Sequence, residues 1–139
     1  WSPNDAWQIY FSASYADTFY DTIRSADVAY LKGTQPESTA RDRVNLWTRY
    51  SFKNAAVTGW WIGGGFSYTG KKAEISNNPW LFLPNQTIAD LTIGYDFKAT
   101  GADWNASLAW KNVTDEDDIP SVRSRGLPSR VVFSLGAKF

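Results

Sequence analysis

The sequence predicts an all-β chain, an antiparallel transmembrane β-barrel to which these residues contribute about six strands. Three observations lead there. Apolar and polar residues alternate in six stretches, and helical periodicity is nearly absent. The links between the stretches run long, short, long, short, long. Aromatic residues stand at the same end of every stretch.

The first strand puts Trp7, Ile9, Phe11, Ala13 and Tyr15 on one face and Gln8, Tyr10, Ser12 and Ser14 on the other. The second sets Val44, Leu46, Thr48, Tyr50 and Phe52 against Arg43, Asn45, Trp47, Arg49 and Ser51. The third sets Trp60, Ile62, Gly64, Phe66 and Tyr68 against Trp61, Gly63, Gly65 and Ser67. Ala89, Leu91, Ile93, Tyr95 and Phe97 oppose Asp90, Thr92, Gly94, Asp96 and Lys98 in the fourth. In the fifth, Trp104, Ala106, Leu108 and Trp110 oppose Asp103, Asn105, Ser107, Ala109 and Lys111. The sixth pairs Val131, Phe133, Leu135, Ala137 and Phe139 with Arg130, Val132, Ser134, Gly136 and Lys138 on the opposite face. Thr48 is the one polar member of the apolar face. Each strand has the roughly 9–11 residues that a tilted membrane strand needs.

Short turns lie around Lys53–Gly59 and Ala99–Gly101, and long links around Asp17–Asp42, Gly70–Gln86 and Asn112–Ser129. Antiparallel order then gathers the long links at one end of the sheet, as in outer-membrane barrels with short periplasmic turns and long extracellular loops. The apolar-face residues nearest the short-turn end are Trp7, Phe52, Trp60, Phe97, Trp104 and Phe139. Six aromatic rings at one height suit a membrane–water interface, where amphipathic rings prefer the headgroup level. Tyr15 or Phe19, with Tyr68 and Trp110, would form the opposite girdle.

Composition narrows the function. The 139 residues carry 14 Lys plus Arg and 14 Asp plus Glu, with no Cys and no His. Zero net charge argues against a nucleic-acid partner. Lack of Cys removes disulfides, thiolate metal sites and a thiol nucleophile. Lack of His removes the commonest general base and metal ligand. The expectation is no enzyme, no cofactor and no bound metal. Six strands do not close a membrane barrel, and an open edge in lipid leaves backbone groups unpaired. With Trp1 at its start and no signal-peptide pattern, the chain reads as a processed product or a piece of something longer.

The residues also resemble the C-terminal end of TonB-dependent outer-membrane receptors. Asn45-Leu46-Trp47-Thr48-Arg49-Tyr50-Ser51-Phe52 looks like a late strand of those barrels, and Gly65-Phe66-Ser67-Tyr68-Thr69-Gly70 like the next upward strand. Leu83-Pro84, Thr87 and Asp90-Leu91 are similar to the family's entry into a strand. Asn112-Val113-Thr114-Asp115 stands where the family often has Asn-Leu-Phe-Asp, and Gly126-Leu127-Pro128 followed by Phe133 to Phe139 resembles the final strand. Asn85-Gln86 departs from the usual Gly-Tyr, and Thr114 from the common Phe.

The resemblance implies a 22-stranded barrel with an N-terminal plug inside it, importing scarce nutrients, most often iron carried by siderophores. Residues 1–139 would then be the C-terminal part of the barrel domain, with plug and earlier strands outside this chain. The partners implied are outer-membrane lipid and lipopolysaccharide, the TonB complex acting through an N-terminal region, and a ferric siderophore, whose iron is cargo. The location implied is the outer membrane, with the C-terminus periplasmic.

Candidate ligand contacts are Trp80 and Phe82 in the second long link, Arg24 in the first, and Arg123 and Arg125 in the last. Exposed aromatics grip apolar ligands, and fixed cations attract anionic complexes. Inward Trp47 and Trp61, with Arg43, Arg49, Asp90 and Asp96, are expected to face the lumen or a plug. Inward charges, Asp103 and Lys111 included, are expected to pair across strands. Asp115-Glu116-Asp117-Asp118 lacks the spacing of a calcium loop and reads as solvated. Gly63-Gly64-Gly65 has no phosphate-loop Lys; glycine in a strand marks curvature or close backbone approach. A diffusion porin segment and a soluble carbohydrate-binding β-sandwich remain the alternatives.

Overall fold

The structure, a computed structural model, describes residues 1–75, 78–117, 119 and 124–139. Its strands are β1 (Trp7–Tyr15), β2 (Asp42–Ser51), β3 (Trp60–Thr69), β4 (Lys72–Ile75), β5 (Asn78–Leu83), β6 (Gln86–Ala99), β7 (Ala102–Lys111) and β8 (Arg130–Lys138). Six form one sheet in the order β1-β2-β3-β6-β7-β8, every neighbour antiparallel. These are the six strands read from the alternation, and the fold is the antiparallel wall of a β-barrel. Among the described residues no helix is long and apolar enough to cross a membrane, a criterion that says nothing of strands.

Turn chemistry fixes the register at one end. β6 and β7 join through Thr100 and Gly101, at φ 52° and 80°, with Ala99 opposite Ala102. Two positive φ values give the turn whose twist matches that of the flanking strands. Between β2 and β3, the Asn54 side chain accepts from Ala56 N–H at 3.1 Å and caps a short 3₁₀ turn, Ala55–Val57. Gly59, at φ 91°, then passes so close to Asp96 that a Cβ would lie 2.5 Å from its carbonyl oxygen.

One feature differs from the sequence expectation. The second long link is not wholly loop: β4 and β5 pair as a separate antiparallel hairpin with a register shift. It is short, carries Pro79 and lacks a sustained alternation, so nothing in its pattern separates it from loop. It stands at the long-loop end, with β6 beginning at Gln86, three residues before the alternation becomes regular.

The apolar face is open. Phe11, Tyr15, Phe133 and Val131 are each more than three-fifths exposed. A contiguous apolar surface of this kind marks a membrane or protein contact. Burial is concentrated at the long-loop end. Glycines aside, the buried described residues are Leu31, Thr34, Gln35, Lys72, Ala73, Gln86 and Asn112 there, and Trp61 and Ala102 in the wall.

Candidate functional site

Two clusters pattern the polar face of the wall. In the first, Asp96 on β6 receives three neighbours. Arg49 Nη2 donates to Oδ2 at 2.8 Å, Trp61 Nε1 donates to Oδ1 at 3.1 Å, and Asn105 Nδ2 donates to Oδ1. The Arg49 guanidinium also lies 4.1 Å from the centre of the Trp61 ring. A strand period of two puts all four side chains on one face, and the pairings Asp96 with Asn105 and Arg49 with Gly63 bring them level.

In the second, Lys111 Nζ donates to Asp90 Oδ2 at 2.8 Å, and Asn112 N–H donates to Asp90 Oδ1 at 2.9 Å. Lys111 also sits 5.9 Å from the Trp47 ring. Ser67 Oγ donates to Asn45 Oδ1 at 2.5 Å, and Asn45 Nδ2 donates to Ser12 Oγ at 3.3 Å, which carries polar contact on to β1. Lys98 and Asp103 form an exposed pair at 3.2 Å. Arg43 is exposed and makes no ion pair among the described residues.

The glycines explain how two indoles fit on this face. A Cβ on Gly94 would meet Trp61 Cζ2 at 2.2 Å, and one on Gly63 would meet Trp47 Cζ2 at 3.1 Å. Each ring lies against backbone that has no side chain in the way. The close approach read from the glycine run is real, and Gly94 extends it to a second strand.

On the apolar face, the six aromatics stand at the short-turn end in a stepped row. Pairing carries Trp7 through Tyr50, Ile62, Ile93 and Leu108 to Phe133. Phe52 and Trp60 lie two residues beyond that line, Phe97 and Trp104 four, and Phe139 six. Rings touch along the row: Trp60 with Tyr95 at 5.0 Å, Tyr95 with Phe97 at 5.6 Å, and Phe97 with Trp104 at 6.2 Å. Thr48, the polar exception, is satisfied: its Oγ1 accepts from Trp7 Nε1 at 2.6 Å and donates to Gln8 O at 3.2 Å. The structure adds Trp1 to the row. Trp1 and Ile9 exchange both backbone hydrogen bonds, at 2.9 and 2.8 Å, so their side chains share a face. A single Trp ahead of Pro3 carries no strand pattern, so only the pairing could reveal it.

The ligand candidates lie on separate links of the chain. Arg24 is exposed in the first loop. Phe82 lies on β5, 41% exposed. Trp80 is in β5 too, but its side chain lies outside the described residues, as does Arg123. Arg125 is exposed and shares a hollow with Asp115, Glu116 and Asp117, while Asp118 falls outside the described residues. Among the described residues no group of three or more Asp or Glu is placed to hold a metal ion.

Sequence reading missed the residues that join the loops. Buried Asn112, at φ 51°, donates to Glu116 O at 2.8 Å and accepts from Glu116 N–H at 3.0 Å, closing a turn. Lys72 and Gln86 are buried polar residues that reach the backbone of the last loop. Isolated polar residues in loops look solvated in sequence, and no spacing signals otherwise.

No family model matches the chain. The ferrichrome outer membrane transporter and phage receptor of Escherichia coli K12 is 29% identical over 105 residues, covering 75% of this chain. The ferrioxamine B receptor of Salmonella typhimurium SL1344 is 26% identical over 105 residues, covering 70% of it. The chain spans only 14% and 15% of the length of these two relatives. Among solved structures, BauA, the ferric preacinetobactin receptor of Acinetobacter baumannii, superposes over 96% of this chain and 20% of its own, with TM-score 0.76 and 17% identity. Sequence and fold thus agree with the motifs: the chain is similar to the barrel of outer-membrane siderophore receptors.

Proposed function

We propose that the chain forms the C-terminal part of the barrel of an energy-coupled outer-membrane uptake receptor for a ferric siderophore. The loops capture the ligand, and the wall lets it pass once a plug has moved. The observation that carries this reading is a two-faced wall on whose polar face Arg49 pairs with Asp96 and Lys111 with Asp90 across strands, on a chain similar to siderophore receptors. Such pairs neutralise part of the charge on this polar surface, which suits a plug that must release. Trp47, seated against Gly63 on that surface, offers contact without projecting, while Trp61 is buried with the Arg49 guanidinium over its ring. The earlier strands, the plug and the segment engaged by the TonB complex belong to sequence outside this chain.

The stepped aromatic row supports the orientation. If it is level with the headgroups, the strands are inclined to the membrane normal. The offset of six residues across five strand spacings is about 20 Å along the strands against about 24 Å of sheet, an inclination of about 40°. Membrane barrels tilt their strands by roughly 35–45°. Tyr15 and Tyr68 each lie eight residues above Trp7 and Trp60 on their own strands, which at that tilt spans about 20 Å, close to the roughly 25 Å apolar band of such barrels. The long loops are then extracellular and Phe139 is periplasmic.

The test is growth of a bacterium stripped of its own siderophore receptors and supplied with the full-length protein. Ferrichrome or ferrioxamine B serves as sole iron source, with and without TonB. Growth that needs both the protein and TonB supports the reading. Passive entry of small sugars independent of TonB would favour the porin instead.

A further inference from the structure

Among the described residues, the buried polar side chains lie not in the wall but where the three long loops meet. Lys72 and Gln86, each at most 5% exposed, flank the β4–β5 hairpin at its two ends. Lys72 Nζ donates to Gln86 Oε1 at 3.0 Å and to Ile119 O at 2.6 Å, and Gln86 Nε2 donates to Asp117 O at 2.7 Å. Two buried side chains thus bond each other and then take two carbonyls of the last loop. Lys72 also bridges Ala40, and Ser38 N–H donates to Ala73 O at 2.9 Å, which ties the first loop to the same strand. Asn112 closes the near end of the last loop, and Asp115 Oδ1 accepts from Ser129 N–H at 2.9 Å at the far end.

We propose that Lys72 and Gln86 act as a clasp that holds the three loops as one preformed cap, so that they are positioning residues for ligand capture. This rests on the uptake reading for its purpose, though not for its existence. The physics favours a clasp over an incidental contact. Buried donors and acceptors are costly to leave unpaired, so the last loop cannot swing away without exposing or orphaning the Lys72 ammonium and the Gln86 amide. A cap that is already assembled binds more tightly than one that must assemble, by the inverse of the assembled fraction.

The experiment uses the full-length protein in detergent and compares wild type with Lys72→Met, Gln86→Leu and Lys72→Arg. Hydrogen exchange is read first, without ligand. Both apolar variants are expected to speed exchange at residues 113–117 and 38–40 at least tenfold, with β7 and β8 unchanged. Lys72→Arg, which keeps donors on a long stem, is expected to restore most of the protection. Unchanged loop exchange overturns the clasp. So does an equal rise in the wall strands, which would mean general destabilisation. Binding of ferrichrome and ferrioxamine B is read second. Where wild type binds either, Lys72→Met is expected to weaken it about tenfold, with recovery in Lys72→Arg. Unaltered affinity beside loosened loops would overturn the positioning role. Where wild type binds neither, the exchange data still decide the clasp, and it is the assignment of these ligands that fails.

Discussion

The wall and the loop cap are built on opposite rules. The wall is regular, and its apolar side chains stay exposed: Leu91, Leu108 and Leu135 are each about half exposed or more. Backbone ladders and cross-strand pairs hold it. The cap is irregular and buries polar side chains, Lys72, Gln86 and Asn112 among them. Side-chain-to-backbone bonds hold it. The difference follows from solvent. On the proposed reading, a sheet with lipid on one side gains nothing from hiding apolar groups, whereas loops in water keep one shape only by satisfying their own backbone.

The largest expected effect attacks the wall through its glycines. A Cβ on Gly65 would lie 2.1 Å from Leu46 O and 2.8 Å from Trp47 Cα, both backbone atoms, whereas one on Gly136 meets nothing within 4 Å. Gly65→Ala should cost about 4 kcal/mol or more and abolish the heat-modifiable folded band in electrophoresis, with Gly136→Ala near wild type. Next comes the facing direction. Leu135→Arg, on the apolar face, should cost about 2–4 kcal/mol, and adjacent Ser134→Arg less than about 1 kcal/mol, by denaturant titration in lipid vesicles. Equal costs would mean that the apolar face does not meet lipid.

The cap should respond locally. Asn112→Ala removes both bonds to Glu116 and puts a Cβ-bearing residue without a compensating amide at φ 51°, for a local loss of about 2 kcal/mol. It should appear as faster exchange at residues 113–117 with unfolding of the wall unchanged. Asn112→Gly, which relieves the backbone strain alone, should recover part of it. Smallest are the exposed ion pairs. Asp96→Asn, at a centre with three donors, should cost about 1 kcal/mol, while Lys98→Ala, with its side chain 88% exposed, should be indistinguishable from wild type. A Lys98 effect as large as that of Asp96 would erase the distinction between a clustered and a solvated pair.

How legible each region was follows from the same contrast. All six wall strands could be read because a period of two is written into every residue of a two-faced sheet. Pairing of Arg49 with Asp96 and of Lys111 with Asp90 followed from their facing direction. The β4–β5 hairpin could not be read, since four to six residues carry too little alternation. Nor could Lys72, Gln86 and Asn112, whose burial depends on chain segments far apart in sequence. Trp1 needed a partner strand to acquire a direction. The ligand candidates were chosen by residue type alone, and those among the described residues lie on three different links.

On the proposed uptake reading, the glycine seats also bear on how wide a passage along this wall would be. An indole standing upright from an inward strand position would reach several ångströms into the bore. If this face lines a passage, Trp61 seated against Gly94 and Trp47 against Gly63 keep their rings close to the backbone, with the Arg49 guanidinium over Trp61. A methyl group added at Gly94 would therefore do more than disturb packing. By displacing the Trp61 ring, it should narrow such a passage for a bulky solute more than for one no larger than water.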